Sequence, residues 1–313
     1  MRILIVGAGA TGGYYGGRLH QAGRDVSFLV RPARAATLRE HGLQIVSPHG
    51  DATLHPPLLT ASEIDVPFDI VLLSVKAYAL PQAIADFAPA VGPDTMIVPV
   101  LNGMRHLDLL TSRFGQTPVL GAVSQIATTV DEQGRIVQLN DLQKLAYGER
   151  RRAGAGESAR VAVLHALMDG AAFDARVSQE IEREMWEKWI FLATLGGITC
   201  LMRGSIGDIV AAPGGLDLIR QLLVECTSVA SAAGFEPSEA AREHAARALT
   251  APGSPMVSSM YRDLVRCHDV EADHILGDLF VRAGALGVRT PVLASAYAHL
   301  SVYRKRLNAA RDK

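Results

Sequence analysis

The stretch Arg2-Ile3-Leu4-Ile5-Val6-Gly7-Ala8-Gly9-Ala10-Thr11-Gly12 determines the fold of the first half of this chain. Residues 2–6 predict a short buried strand, and the G-x-G-x-x-G that follows opens a predicted helix ending near residue 23. In this arrangement the first glycine permits a tight turn, the second lets a pyrophosphate approach the backbone, and the third lets the helix pack on the strand. The helix N-terminus offers backbone N–H groups and a positive dipole end to phosphate. The alternative, a glycine-rich turn without a ligand, is disfavoured by the flanking strand and helix. The predicted cofactor-binding residues are therefore Gly7, Ala8, Gly9, Ala10, Thr11 and Gly12.

The second predicted strand, residues 25–30, indicates which dinucleotide this unit would bind. An NAD site places an Asp or Glu at the C-terminal end of that strand, about 20 residues past the glycines, to hold the ribose 2′-OH. Here the strand ends in Arg31, with Arg34 just beyond, and Asp25 lies at the opposite end. A guanidinium forks onto a phosphate and stays charged, which favours a 2′-phosphate. We therefore predict NADP(H) over NAD(H); the alternative is that Arg31 is an ordinary solvated surface cation.

The composition is that of an ordinary globular protein. The 313 residues suffice for two domains, and 49% hydrophobic with 20% charged residues is a normal balance for a folded chain. The formal net charge of −1 provides no global field that would attract nucleic acid or an anionic membrane. We therefore expect neither nucleic acid nor a membrane as a partner.

Cysteine usage and apolar segments bear on the cellular compartment. Cys200, Cys226 and Cys267 are widely spaced without a C-x-x-C or a metal-ligand cluster, so we expect three small buried thiols and no metal site. The N-terminal apolar run is too short for a secretory signal. The longest apolar stretch, residues 189–202, is shorter than the roughly 20 residues that cross a bilayer. These features predict a cytoplasmic protein.

Two different patterns divide the chain. Residues 1–178 alternate strand-like and helix-like segments, which predicts a doubly wound, Rossmann-type α/β sheet with antiparallel additions. After the second strand, the predicted strands are 69–75, 96–101 and 118–123, and the predicted hairpins are 43–54 around residues 48–51 and 135–147 around Asn140-Asp141. Residues 179–313 show helical periodicity, with helices predicted from Ser178 onward and over residues 216–233, 238–249, 258–266, 271–285 and 291–307. We predict an NADP-binding domain followed by an all-helical substrate and catalytic domain.

Three residues follow predicted strand ends in the first half of the chain. Ligands of open α/β sheets bind outside the carboxyl ends of the strands. Lys76 and Asn102 follow two of the strands, and Ala127 lies beyond a third. A cation and an amide at these positions could contact a cofactor's phosphate, ribose or nicotinamide. The alternatives are a surface lysine and a turn asparagine beside a glycine.

Lys188 is the candidate proton donor of the second half. It precedes an apolar run in Trp186-Glu187-Lys188-Trp189-Ile190-Phe191-Leu192. A lysine desolvated by such a segment has a lowered pKa and becomes a usable acid near neutral pH. The alternative is a lysine that snorkels from a helix. Without further information, the serines at positions 258 and 259 predict a helix N-cap, and Glu271 predicts a solvated carboxylate on a helix.

Taken together, these residues resemble the ketopantoate reductase family (2-dehydropantoate 2-reductases) over essentially the whole chain. The resemblance is carried by the glycine loop, Arg31, Ser74-Val75-Lys76, Asn102-Gly103-Met104, Trp186-Glu187-Lys188, Ser258-Ser259-Met260-x-x-Asp263, Glu271 and Gly277. It implies NADPH-dependent reduction of a 2-keto acid to a 2-hydroxy acid, with ketopantoate as the substrate in pantothenate biosynthesis. The family often dimerises, so the resemblance leaves a homodimer open.

The resemblance also implies a role for each site residue. Lys188 would be the general acid, stabilising the charge that develops on the carbonyl oxygen. Asn102 would touch both cofactor and substrate, and Ser259 would bind substrate. The remaining residues would contact the cofactor. Arg31 would bind its 2′-phosphate, Lys76 would lie at its edge, Ala127 would contact it through the backbone, and Glu271 would reach its nicotinamide-side ribose.

Three positions depart from the family pattern. Where typical members carry asparagines four and eight residues after the catalytic lysine, this chain has Leu192 and Gly196, and Ile206 replaces a third asparagine. A site without its polar partners loses affinity for a polar substrate. Two further hypotheses therefore stand beside ketopantoate reduction: an NADPH-dependent reductase of a bulkier or more apolar 2-oxo compound, and a non-catalytic NADPH-binding regulator.

Overall fold

The structure is a computed structural model that describes residues 1–150 and 158–311. The chain forms two compact units, one of Met1–Leu101 with His106–Glu182 and one of Asn102–Arg105 with Arg183–Lys313. The division lies four residues beyond the boundary predicted at residues 178/179. It also assigns Asn102, predicted within the first domain, to the second unit, because the backbone of the next residue packs against that unit, as described below.

Among the residues that the structure describes, ten strands and five α-helices belong largely to the first unit. The strands are β1 (Arg2–Val6), β2 (Asp25–Leu29), β3 (Leu43–Val46), β4 (Ala52–Leu54), β5 (Leu58–Leu59), β6 (Phe68–Leu73), β7 (Val91–Pro99), β8 (Gly121–Val130), β9 (Ile136–Gly148) and β10 (Asp174–Val177). The helices are α1 (Ala10–Gln21), α2 (Pro32–His41), α3 (Leu80–Phe87), α4 (Arg105–Phe114) and α5 (Ala159–Met168).

A five-stranded parallel sheet forms the centre of the first unit, in the order β5-β2-β1-β6-β7. The apolar runs of its strands are buried without alternation, as in sheets covered on both faces. Val6 pairs with both Leu29 and Leu73, and Leu73 pairs with Pro99. The carboxyl ends of β1, β2, β6 and β7 are therefore aligned at one edge. The Rossmann-type fold predicted from the sequence is confirmed.

A second, mixed sheet contains the antiparallel additions. The predicted hairpin of β3 and β4 is confirmed, whereas the predicted hairpin at Asn140-Asp141 is wrong. The chain reverses instead at residues 131–134, and β9 continues past Asn140-Asp141. Pairing passes from Ile126↔Gln143 to Thr128↔Gln138, leaving a bulge in β9. The amide of Asn140 accepts a 3.2 Å bond from the N–H of Leu142, so its local hydrogen bond stabilises a bulge rather than a tight turn.

The segment predicted as a strand over residues 118–123 also differs from its prediction. Only Val119 bridges the parallel sheet, to Ile97, and the strand that follows is β8, which pairs antiparallel with β9. The second half of β8 is only half-buried, as suits an antiparallel strand better than one covered on both faces.

The second unit is helical, as predicted. Its helices are α6 (Ile181–Met202), α7 (Ile206–Ala211), α8 (Gly215–Ala232), α9 (Glu239–Leu249), α10 (Ser259–Val265), α11 (Asp278–Ala285) and α12 (Pro291–Arg311). The sequence did not predict α7. The helix predicted over residues 271–285 is instead a π-helical turn, Asp273–Gly277, followed by α11. Such turns occur often at functional sites.

Three global expectations can be compared with the described residues. Cys200 and Cys226 are buried as predicted, but Cys267 is exposed, at a positive φ of 55° just after α10, where the chain turns outward. Within residues 1–150 and 158–311, no helix is both long and apolar enough to cross a membrane. Over the same ranges, no group of three or more His, Cys, Asp or Glu side chains is arranged to hold a metal ion.

Candidate functional site

The glycine loop joins β1 to α1 at the aligned strand edge. Gly7 has a φ of +101°, and a Cβ there would lie 2.4 Å from the carbonyl oxygen of Ser74. A Cβ on Gly12 would lie 2.3 Å from the carbonyl oxygen of Gly7. Around Gly9, by contrast, no atom lies within 4 Å of the Cβ position. Packing therefore requires glycine at positions 7 and 12, whereas Gly9 leaves open space above the backbone.

The first turn of α1 faces this open space. Gly9 is the N-cap residue, and no side chain caps the helix. The N–H groups of a first helical turn have no acceptor within the helix, and they carry the positive end of the dipole. A diphosphate can approach the backbone at Gly9 without a steric barrier, so this loop fits the pyrophosphate of a dinucleotide.

The two arginines that follow β2 differ in their surroundings. Arg31 is exposed and stands at the N-cap of α2. Arg34 is half-buried, which lowers its pKa, and its guanidinium donates a 3.1 Å hydrogen bond to the carbonyl of Gly134. Arg34 is therefore engaged with the β8–β9 turn, while the guanidinium of Arg31 points to solvent and could receive a phosphate.

The two other predicted cofactor contacts of the first unit lie at different places. Lys76 is exposed and follows β6, at the N-cap of a short 3₁₀ turn. It lies two residues after Ser74, whose carbonyl oxygen packs against Gly7 of the glycine loop. Ala127 lies on β8 opposite the bulge in β9. Lys76 is thus at the aligned strand edge, and Ala127 belongs to the second sheet.

In the second unit, Trp189 joins the segments that carry Asn102, Lys188 and Glu271. Its indole Nε1 donates a 2.9 Å hydrogen bond to the carbonyl oxygen of Ile275, in the π-helical turn. Gly103, at a φ of +78°, packs so closely that a Cβ there would lie 2.7 Å from the carbonyl of His274 and 3.7 Å from the same indole nitrogen.

Glu271 is fixed to that turn by its own backbone. Its carbonyl oxygen accepts the N–H groups of His274 and Ile275, at 3.2 and 3.1 Å. The structure therefore brings together the segments that carry Asn102, Lys188 and Glu271, three predicted site residues that are far apart in sequence.

The ammonium of Lys188 has an altered acidity. Burial lowers its pKa from the usual 10.5 to about 8, and the nearby Glu271 carboxylate opposes that shift. The group remains mostly protonated near pH 7, yet it releases its proton far more readily than a surface lysine. This is the behaviour required of a general acid.

Ser259 begins α10 and is exposed. Its neighbour Ser258 is buried, accepts the N–H of Tyr261 at 3.0 Å, and lies 3.0 Å from the hydroxyl of Thr199 on α6. Ser258 therefore performs the capping and docks α10 on α6, which leaves the hydroxyl of Ser259 at the surface.

The three positions that depart from the family pattern have different environments. Leu192 is half-buried on α6. A Cβ at Gly196 would lie 2.2 Å from Cε of Met260, so a methionine fills that space. Ile206 is fully buried at the start of α7, and its N–H donates to the carbonyl of Met256 at 3.0 Å. It belongs to the apolar core rather than to an open surface.

Two residues that contact this arrangement were not predicted from the sequence. Trp189 directly follows Lys188 and begins the apolar run of the sequence, which predicts burial but no contact with a distant turn. Met260 is adjacent to Ser259, but nothing in the sequence places it over Gly196, because the two are far apart along the chain.

Comparison with known proteins places the chain in a family. The family model "Ketopantoate reductase PanE/ApbA" matches residues 3–152, and its C-terminal counterpart matches residues 180–304. The chain belongs to the ketopantoate reductase family. The uncharacterized oxidoreductase YkpB of Bacillus subtilis is 36% identical over 97% of this chain and 99% of its own.

Other members of the ketopantoate reductase family are more distant in sequence. A 2-dehydropantoate 2-reductase of Streptococcus pyogenes is 25% identical over 93% of this chain and 94% of its own. The crystal structure of 2-dehydropantoate 2-reductase from Geobacter metallireducens is 27% identical, with a TM-score of 0.86 over 96% of this chain and 99% of that one. This chain is therefore an oxidoreductase-family member with the family's fold over nearly its full length.

Proposed function

We propose that this protein reduces a 2-oxo acid to the 2-hydroxy acid with NADPH, and that Lys188 is the proton donor. The observation that carries the proposal is the ammonium of the half-buried Lys188, whose pKa desolvation lowers to about 8, in the same unit as Glu271 and Asn102. A proton donor whose pKa lies close to neutrality, with a carboxylate nearby, is suited to protonating a carbonyl oxygen.

The cofactor role rests on the glycine loop and on Arg31. The open backbone at Gly9 and the uncapped first turn of α1 would hold the pyrophosphate. The exposed guanidinium of Arg31 would pair with the 2′-phosphate, which favours NADPH over NADH. NADPH held at this loop would supply the hydride for the carbonyl carbon.

Each residue of the second unit has a defined part in the chemistry. Lys188 gives its ammonium proton to the carbonyl oxygen as the C–H bond forms, and water returns a proton to the amine. The Asn102 amide would orient the substrate, and the Ser259 hydroxyl would bind its carboxylate. Glu271 keeps Lys188 protonated at neutral pH, since its charge raises the pKa of that lysine. The net reaction consumes one 2-oxo acid, one NADPH and one proton.

The family and the names of its members support the proposed substrate class. Some relatives are named 2-dehydropantoate 2-reductase, so ketopantoate, which is a 2-oxo acid, is the reference substrate. A 2-oxo acid suits a site that contains the Lys188 ammonium as proton donor and the short polar side chains of Asn102 and Ser259.

The test measures oxidation of NADPH and of NADH with ketopantoate and with a panel of other 2-oxo acids. We expect turnover with NADPH on at least one 2-oxo acid, and a lower KM for NADPH than for NADH. Calorimetric titration with NADPH serves as the parallel readout. Tight binding of NADPH without reduction of any panel compound would overturn the catalytic proposal in favour of a non-catalytic regulator. A preference for NADH would overturn the role given to Arg31.

A further inference from the structure

One face of α6 leads away from the proposed proton donor. Lys188, Leu192 and Gly196 are spaced by four residues, so they follow one another along the same side of the helix. Lys188 and Leu192 are half-buried, and Gly196 is buried. Since a helical turn rises about 5.4 Å, a carbonyl compound held at Lys188 would have its neighbouring carbons beside Leu192.

Met260 closes this face at Gly196. Its Cε lies 2.2 Å and its Sδ 3.9 Å from the position of a Cβ on that glycine. Met260 is only 2% exposed, so its thioether is packed onto the helix rather than free in solvent. The space that a side chain at position 196 would occupy is filled by an apolar group.

The polar groups around this contact are already paired within the protein. The Thr199 hydroxyl donates to the carbonyl of Leu195 at 2.6 Å and lies 3.0 Å from the hydroxyl of Ser258. Ser258 in turn accepts the N–H of Tyr261. These bonds fix the start of α10 on α6, and with it the position of Met260.

We propose that Leu192 determines specificity by forming an apolar wall beside Lys188, and that Met260 contributes by filling the space at Gly196 that a polar side chain would need, so that the preferred substrate is a 2-oxo acid with a purely hydrocarbon side chain. This inference rests on the proposed function. A hydroxyl on the side chain would lose its water against Leu192 without gaining a partner from position 192 or 196. Ketopantoate carries such a hydroxyl. Its analogue 3,3-dimethyl-2-oxobutanoate has the same carbon skeleton without it.

The first experiment compares these two compounds, which differ by a single oxygen atom. We expect the wild-type protein to reduce 3,3-dimethyl-2-oxobutanoate with a kcat/KM about 10- to 100-fold higher than for ketopantoate, the usual effect of one unpaired buried hydroxyl. Equal rates or a preference for ketopantoate would overturn the specificity inference and leave the proposed function intact. Reduction of neither compound, nor of any other 2-oxo acid, would overturn the proposed function itself.

The second experiment changes the wall. Leu192→Asn should shift the preference toward ketopantoate by about tenfold, because the amide can pair with the hydroxyl. Val224→Asn introduces the same amide at an exposed apolar position of α8 and should leave the preference unchanged. An unchanged preference in Leu192→Asn, in a protein that still folds and turns over, would overturn the role of this residue.

The contact between Gly196 and Met260 is tested by a double variant. Gly196→Asn alone must displace the Met260 methyl, whereas Gly196→Asn with Met260→Ala has room for the amide. We expect the double variant to unfold at a higher temperature than the sum of the two single effects predicts. It should also shift the preference toward ketopantoate by about tenfold relative to Met260→Ala. Additive stabilities together with an unchanged preference would overturn the role of Met260.

Discussion

The indole N–H of Trp189 donates a 2.9 Å hydrogen bond to the backbone carbonyl of Ile275. This bond joins the helix that carries Lys188 to the π-helical turn that follows Glu271. We expect Trp189 to act as a positioning residue, because its indole holds the backbone of the turn that follows Glu271. Its effect on chemistry would act through the placement of Glu271 relative to Lys188.

Replacing Trp189 with Phe removes this bond and keeps an aromatic ring. The carbonyl of Ile275 is then left buried without its donor, which destabilises the fold by about 1–3 kcal/mol. We expect kcat to fall and the alkaline limb of the pH profile to move, because the Glu271 carboxylate would no longer be held near Lys188. Trp186→Phe is the matched control: Trp186 stacks on Phe235 with ring centroids 5.6 Å apart and lies in the same helix. A wild-type pH profile in Trp189→Phe would show that the residue is only structural.

The pH dependence of turnover follows from the pKa of Lys188. Burial lowers that pKa to about 8, and the protonated form is the one that donates, so kcat/KM should be level below the pKa and fall as pH rises through it. Glu271 raises the pKa, so Glu271→Gln should move the descending limb to lower pH. Glu243→Gln, an exposed carboxylate of α9, is the control and should leave the limb in place. A shift to higher pH in Glu271→Gln would contradict the assigned electrostatics.

The glycine loop gives a prediction that separates folding from binding. Gly9→Ala meets no atom within 4 Å, so the variant should keep its melting temperature. Its methyl group would occupy the space proposed for the pyrophosphate, and we expect the affinity for NADPH to fall by at least about tenfold. Gly12→Ala should instead lower the melting temperature, since its Cβ would lie 2.3 Å from a backbone oxygen. Calorimetric titration and thermal unfolding of both variants check this; full NADPH affinity in Gly9→Ala would contradict the placement.

The preference for NADPH is assigned to Arg31. Arg31→Ala removes a charged donor from the proposed 2′-phosphate and should raise the KM for NADPH by about 10- to 100-fold. The KM for NADH, which has no 2′-phosphate, should change little. Arg39→Ala removes an exposed arginine farther along α2 and should affect neither. An equal rise in both KM values for Arg31→Ala would mean that the residue does not discriminate between the two cofactors.

The parts of the fold that the sequence predicted correctly are those with local causes. The strand–glycine–helix order around Gly7 and the unbroken apolar runs of β1 and β6 depend on neighbours along the chain, so periodicity was enough. The prediction of a hairpin at Asn140-Asp141 was wrong because two turn-forming residues can equally stabilise a bulge. The strand that pairs with these residues decides between a turn and a bulge, and the sequence does not specify that pairing.

The candidate site was predictable only in part, for a similar reason. Its apolar neighbours made Lys188 a candidate beside the alternative of a snorkelling lysine, and only the family resemblance assigned it the role of general acid. The structure adds that the carboxylate of Glu271 lies near enough to raise its pKa. The packing of Met260 on Gly196 and the bond from Trp189 to Ile275 join residues that are far apart in sequence. Such contacts depend on how helices pack, which periodicity does not specify.

The turnover of Lys188→Met, measured with NADPH and the 2-oxo acid that the wild-type protein reduces best, shows most directly whether Lys188 is the proton donor. Methionine keeps the volume of the side chain and removes its proton. We expect kcat to fall about 10²- to 10⁴-fold, with the affinity for NADPH and the folded state retained. Lys305→Met, which alters an exposed lysine of α12, should turn over as the wild type does. A Lys188→Met protein that reduces the 2-oxo acid at the wild-type rate would contradict the assignment of Lys188 as the proton donor.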